Sequence, residues 1–541
     1  MMRRLNAVPL RLRAEALKPG ETAPIAGAAP QRRHAVLRGV FSAALAALLA
    51  GCAAGPDYSR PALPVPQSYG AATADVSGQR YVLQQDIQRN WWTLFHAPAL
   101  DALIEQAFRA NPNIESAAAS LRAAQENVSA QQGYFYPTVQ ASYTPSRTKL
   151  AANLGGNSPG VQGNGSVIST TQNAPASEGG TAPFNAPVIY NFHTAQLTVA
   201  YTPDVFGANR RQIESLEAQQ QAQRFQLEAA YITLASNIVA AALQDGLLRR
   251  QMAIVRQTID ANQDALALAQ RQLKAGYISR LEVAVQQNAL AQSRQLLPPL
   301  QKQFEQNRDL LRVLAGIPAD GEVPAFALDA FHLPQDLPLT LPSQLVEQRP
   351  DVRAAEEQLR SASAQVGVAR AARLPQFAIS ANAGGAASQF GQMFWSSGKF
   401  FDLTASVTQT LFDGATLKHR EAAAKETLRG AVAAYRATVA TAFQNVADVL
   451  HAIETDSSAL QTATEASDAA RAARELTARQ HALGYQDRLA LIAAEQNVRQ
   501  AELALAQAQA GRLGDSAALF QALGGGWWHR GEGDAAQEKK Q

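Results

Sequence analysis

"NPNIESAAASLRAAQENVSAQQGYFYPTVQAS" (111–142) and "RPDVRAAEEQLRSASAQVGVARAARLPQFAIS" (349–380) are one passage written twice. Pro112 stands with Pro350, Leu121 with Leu359, Val128 with Val366 and Pro137 with Pro375, without a gap. The match then continues in order. "VFGANRR" (205–211) meets "LFDGATLK" (411–418), and "RQLKAGYISRL" (271–281) meets "RQHALGYQDRL" (479–489). A correspondence kept in order over most of both halves is a tandem duplication, which alanine-rich composition alone does not produce. The 541 residues therefore divide into a first repeat (96–316), a linker with an equatorial region (317–342) and a second repeat (343–526).

Each half reads helix, strand, loop, strand, long helix, turn, helix. Apolar residues alternate with small polar ones in four segments, around Val139 and Tyr143, Leu197 and Val199, Phe377 and Ile379, and Leu403 and Val407. That period of two marks strands with one apolar face. Taken singly, each fits a half-exposed sheet of a soluble protein. Four of them behind an export leader fit a membrane barrel, apolar outside and wet inside. Residues 150–192, rich in Gly, Asn, Ser, Thr and Pro, read as a long external loop. The shorter counterpart, 384–400, places Phe394 and Trp395 for a lipid interface.

The helices carry the other half of the reading. From Leu227 apolar residues step by four and three through Tyr231, Leu234, Ile238 and Ala241, then Leu248, Met252, Val255 and Ile259, interrupted by Asp245 and Asn262. The pattern recurs from Tyr435 through Val439, Ala442, Val446 and Ile453. Such a repeat implies helices supercoiled side by side. Residues 208–275 hold no proline, so as one helix they span about 100 Å. An open sheet edge cannot face lipid, so the strands must close. Eight strands from two copies leave a filled interior, whereas twelve from three leave a passage.

Cys52 is the single cysteine, and a lone thiol forms no disulfide within its chain. Basic residues at 32, 33 and 38, an apolar run at 40–50 and "LAGC" (49–52) describe a secretory leader too short to span a membrane. "LAGC" resembles a bacterial lipobox, which makes 1–51 a lipoprotein signal peptide and 52–95 a lipid-anchored N-terminal segment. By resemblance to the bacterial sorting rule, Ala53 in place of Asp favours the outer membrane. Removing the leader turns the formal net charge of +3 into −3, so charge gives no reason to expect nucleic acid as a partner.

Cys52 with "GPDYSRP" (55–61), "WWTLFHAPALDALIEQAFRANPNI" (91–114), "EQRPDVRAAE" (347–356), the two Gly-Tyr turns and "ALGGGW" (522–527) together resemble one family. It is the outer membrane efflux proteins, the TolC/OprM-like outer-membrane factors, in their NodT-type lipoprotein branch. The resemblance spans nearly the whole mature chain. It implies a membrane α+β fold: a trimeric 12-stranded β-barrel, four strands per chain, continued by a long α-helical coiled-coil barrel with a small mixed equatorial region. The expected protein is a homotrimer in outer-membrane lipid, extending into the periplasm. It docks on a periplasmic adaptor (membrane fusion) protein and an inner-membrane pump of the resistance-nodulation-division class. Its function would be passive conduction of drugs or other small toxic compounds. No cofactor is expected beyond covalent N-acyl and S-diacylglycerol groups on Cys52. The duct of a type I protein secretion system and a non-conducting structural coiled-coil lipoprotein are the rival readings.

In the family the helical tips form the gate. Here they are "KAGYISRLEVAVQQN" (274–288) and "ALGYQDRLALIAAEQN" (482–497). The family pattern at the second tip places an Asp where this chain has Ala493, which speaks against an acidic ring at this site. An apolar constriction including Leu489 is expected instead, with Asp487, Arg488, Arg280 and Glu282 as candidate polar locks. The plainer reading makes these charges solvated turn residues, worth about 0–1 kcal/mol per exposed pair.

Enzymatic readings find no constellation. The eight His are scattered without a metal motif, and "GVQGNGS" (160–166) is a poor phosphate loop. The pairs Trp91–Trp92 and Trp527–Trp528 read as packing where the chain leaves the helices. Residues 527–541 read as a C-terminal tail, solvated from "RGEGDAAQEKKQ" (530–541) onward.

Overall fold

A computed structural model describes residues 54–62, 68–69, 78–149, 157–161, 167–171 and 189–529. The leader, Cys52, most of the loop read at 150–192 and the tail at 530–541 lie outside the described residues. The first half runs β1 (Arg80–Leu83), α1 (Pro98–Ala110), α2 (Pro112–Gln132), β2 (Thr138–Lys149), β3 (Asn157–Val161), β4 (Val167–Thr171) and β5 (Ile189–Tyr201). It ends with α3 (Ala208–Lys274) and α4 (Arg280–Ala315). After β6 (Asp336–Leu339) and α5 (Pro342–Gln348) the second half repeats it: α6 (Pro350–Ala371), β7 (Gln376–Ala387), β8 (Lys399–Thr408), α7 (Thr416–Ala482) and α8 (Arg488–Ala522).

The two halves match in detail. Both α3 and α7 have 67 residues. Each begins after a left-handed residue, Gly207 or Ala415, and an upstream carboxylate tethers its first turn. Asp204 accepts the N–H groups of Asn209 (3.0 Å) and Arg210 (2.8 Å), and Asp413 accepts that of Leu417 (2.8 Å). Negative charge at a helix start is favourable because the unpaired N–H groups point there. One difference is confined to the first half, where α4 runs through Pro298 and Pro299 and loses two ladder donors. The second half has Ala506 and Gln507 at the matching positions.

The large sheet is antiparallel throughout, in the order β2-β5-β7-β8. The hairpin ladder continues to Lys149 opposite Ile189, so β5 begins inside the stretch read above as loop. That loop also contains the β3–β4 hairpin. Alternation is too weak among its Gly, Asn and Ser residues to announce either. Residues 193–200 pair on both sides, whereas β2 and β8 each keep an unpaired edge in the single chain.

Helices α3 and α7 form the long members. On the strand side α3 packs on α2 and α6, and on the far side on α4 and α8. Helix α7 packs on α6 and α8. One window of α3 is apolar enough to cross a membrane (mean hydropathy 1.2), yet 61% of it is buried within the chain. Its apolar stripe is the protein core, with Ala235, Ile238, Val239 and Ala242 fully enclosed.

The two interruptions in that stripe have partners. Asp245, fully buried, pairs with Arg249 (2.6 Å) and Arg308 (3.7 Å) and accepts the Phe326 N–H (3.2 Å). It thereby holds the inter-repeat strap against α3, where Gly246 leaves room. A Cβ on Gly246 would stand 2.9 Å from the Leu328 nitrogen. β1 pairs in parallel with β6, tying the N-terminal segment to the linker. Trp91 stacks on Phe520 at 5.3 Å, and Trp92 meets Phe108 edge-on at 5.5 Å. At the other end of the chain the Trp527 indole N–H donates to the Gln348 carbonyl (2.5 Å), so packing continues past α8 through residue 528. Both tryptophan pairs serve as packing.

Beside β1, Asp456 of α7 lies over Gly511 of α8, with Oδ2 2.9 Å from where a Cβ would stand. Burial lifts the neighbouring Asp515 carboxyl from its ordinary 3.8 to about 6; Asp456 adds to the rise and Arg512 opposes it. Arg512 itself also faces Tyr81 of β1. A carboxyl whose folded pKa is raised supports folding while protonated. That contribution is complete below 3.8 and is lost as pH rises through about 6. Asp515→Asn is therefore expected to raise the melting temperature at neutral pH and to leave it nearly unchanged in acid. An equal gain at both pH values would assign the effect to packing instead.

Candidate functional site

The two helical tips are built alike. At the end of α3 the Gly276 N–H donates to the Leu273 carbonyl (3.0 Å) and the Tyr277 N–H to that of Gln272 (2.9 Å). At the end of α7, Gly484 and Tyr485 do the same to His481 (3.0 Å) and Gln480 (2.9 Å). This is a Schellman stop, and it needs the left-handed conformation (φ of +80° at both glycines) that glycine takes without strain. At the second tip the His481 Nδ1–H also donates to the Gln486 carbonyl (3.0 Å).

The restart differs between the tips. Ser279 caps α4 in a capping box, in which the Glu282 carboxylate accepts the Ser279 N–H (2.6 Å) and its hydroxyl. The Ser279 hydroxyl, followed by its backbone N–H, holds the Glu282 carboxyl below its ordinary value. At α8, Asp487 is itself the cap and accepts the Ala490 N–H (2.8 Å). Two of the four candidate lock residues thus have work within their own tip. Arg280 and Arg488, at matching positions, are exposed and have no ion-pair partner among the described residues. Ser279→Ala is expected to speed amide hydrogen exchange across the first turn of α4 several-fold and to spare α8. Because the Glu282 pKa is lowered, the same turn should loosen as pH falls through the acid range.

The apolar residues sort by side. Leu491 and Ile492 are buried in the hairpin, while Leu489 is 47% exposed and its repeat partner Leu281 is 73% exposed. Tyr277 and Tyr485 project at the apex. Leu281 escaped the sequence reading, although the alignment of the two tips places it opposite Leu489. Ala493 is exposed, and the acid nearest to it on α8 is Glu495. Glu495 reaches Arg474 of α7 (3.8 Å) and Arg499 (3.9 Å).

Above the apex a polar brace joins the repeats. The Gln496 amide of α8 donates to Asn262 of α3 (2.9 Å), and Asn262 is buried. Arg471 to Glu502 (3.2 Å) closes α7 on α8. The signal for Asn262 is present in the sequence as a polar residue in an apolar register, but its partner 234 residues away is not.

A family model for outer membrane efflux proteins matches residues 103–317 and 341–525. The chain belongs to that family. Among curated members it is 28% identical over 439 residues to the pyoverdine export outer membrane protein OpmQ of Pseudomonas putida, covering 81% of this chain and 88% of the relative. It is 28% identical over 510 residues to the probable efflux pump outer membrane protein TtgC of the same species, covering 92% and 97%. The solved outer-membrane channel OprN superimposes with a TM-score of 0.73 at 26% identity, over 88% of this chain and all of that one. As a member of the outer membrane efflux protein family this chain is an outer-membrane protein of efflux. The family is one of channels and not of enzymes.

Proposed function

We propose that three copies of this chain close their sheets into one 12-stranded barrel and their helices into a tunnel. Together they form the passive exit duct of a tripartite efflux system for drugs or other small toxic compounds. The observation that carries the reading is the order β2-β5-β7-β8, which ends on two unpaired edges while an apolar face with Phe401 85% exposed looks outward. In lipid each unpaired edge group is costly, and pairing β8 of one copy with β2 of the next removes every edge. The opposite face carries Thr138, Gln140, Ser142, Thr198 and Thr404, which suits a wet lumen.

Energy comes from an inner-membrane pump of the resistance-nodulation-division class through a periplasmic adaptor that docks at the tips. The tips constrict the passage with Leu489, and with Leu281 at the matching position. In this reading Arg280 and Arg488, both exposed, pair with carboxylates of neighbouring copies. Acyl groups on Cys52 are a second anchor, helping delivery while the barrel spans. The test is deletion of the gene followed by a panel of toxic compounds, with complementation by the wild type and by Cys52→Ala. Increased sensitivity restored by the wild type supports efflux; no change for any compound rejects it.

A further inference from the structure

The charged residues of the four barrel strands are sorted by face and by end. β2 carries Arg147 and Lys149, β5 carries His193, β8 carries Lys399 and Asp402, and β7 carries none. Cross-strand pairing places Arg147, Lys149, His193 and Lys399 on the same face as Val139, Leu197 and Leu403. Asp402, the only acid, lies on the opposite face and accepts from the Asn382 amide (3.1 Å). The apolar face therefore has three fixed cations and no carboxylate within the strands. They also share one end. Lys149 closes β2 and Lys399 opens β8, both toward the end away from the helices, with Lys399 in register with Gly385, Ala195 and Tyr143, four residues short of Arg147. All three cations are exposed.

Aromatic rings stand beside them. The Tyr143 hydroxyl bonds His193 Nδ1 (2.9 Å) with the rings stacked at 6.2 Å, and Phe390 meets both edge-on at 5.8 and 6.3 Å. Phe394 packs on Phe390 at 5.7 Å, and Trp395 beside it is exposed. A cation on the lipid face of a barrel is costly at the midplane and nearly free at the interface. Aromatic rings favour the same depth. Cations without acids on that face of the described strands match an anionic headgroup, and the apolar face below them matches acyl chains.

We propose that this outward rim binds the phosphate groups of an outer-leaflet lipid, with Arg147, Lys149 and Lys399 pairing the phosphates and the Phe390–Trp395 turn seating the acyl boundary. The assignment rests on the reading that the sheet closes into a lipid-facing barrel. On closure, Lys399 of one copy comes beside the β2 edge of the next, so each seam carries one such site.

Full-length protein in neutral-lipid vesicles is titrated with fluorescent lipid A, a phosphorylated acyl-saccharide, and with its dephosphorylated form. The wild type should prefer the phosphorylated form in a salt-sensitive way. Arg147→Gln, Lys149→Gln and Lys399→Gln combined should weaken that binding by about tenfold to a hundredfold. Lys302→Gln, on α4, should not. Equal binding of both forms by the wild type, or an unchanged triple variant, overturns the proposal. So does displacement of lipid A by inorganic phosphate alone. Single-channel recording in neutral bilayers separates the two levels. A triple variant that still conducts leaves the barrel reading intact, whereas a wild type that forms no pore removes that reading and this site with it.

Discussion

Leu489→Ala is expected to raise the conductance of the isolated, closed channel several-fold. The side chains near the second apex divide between Leu491 and Ile492, which are spent on hairpin packing, and Leu489, which projects. A ring of such side chains closes a pore by excluding water as much as by blocking it, so trimming each to a methyl group both widens and wets the passage. Leu281→Ala should act in the same direction and add to the first change. Leu491→Ala should instead lower stability without opening the pore. Asp487 needs separate treatment because its carboxylate caps α8. Asp487→Ala mixes any loss of a contact between copies with a frayed helix start, whereas Arg488→Gln leaves the cap intact. Planar-bilayer recording of the reconstituted protein decides the matter. An unchanged closed state in both Leu489→Ala and Leu281→Ala would place the constriction elsewhere.

Trp91→Ala should cost about 3–5 kcal/mol, the range for deleting a large buried aromatic. Trp91 is 1% exposed, stacks on Phe520 at an interplanar angle of 9° and meets Trp92 and Phe95 edge-on. Phe95 and Phe520, which meet its ring, are themselves enclosed. The loss should appear as a lower unfolding temperature of the purified protein, and Trp91→Phe should recover much of it. A loss below about 1 kcal/mol would mean that the core relaxes around the cavity.

Much of the candidate site is legible in the amino-acid sequence. The Gly-Tyr stops and the helices on either side of them follow from spacing, because a helix stop is made by residues within one turn of each other, whereas Leu489 is singled out only by the resemblance to the family. The Ser-x-x-Glu box at 279–282 has a local signature too, although its charge alone marks Glu282 as a lock and hides the cap. Asn262 and Asp245 are legible only as faults in a pattern. The partners that explain them, Gln496 for one and Arg308 with the Phe326 N–H for the other, belong to other elements.

By itself the sequence determined the strand period, the length of the long helices and the turns between them, since each depends on residues close in the chain. Only the tertiary structure decided the strand order β2-β5-β7-β8, the parallel tie of β1 to β6 and which carboxylates are committed to caps. It alone gathered Arg147, Lys149 and Lys399 at one rim, because strand pairing across some 250 residues sets which faces and ends coincide. Hydrogen-bond pairing at that separation is chosen by what the whole chain can bury at once, and no local period records it.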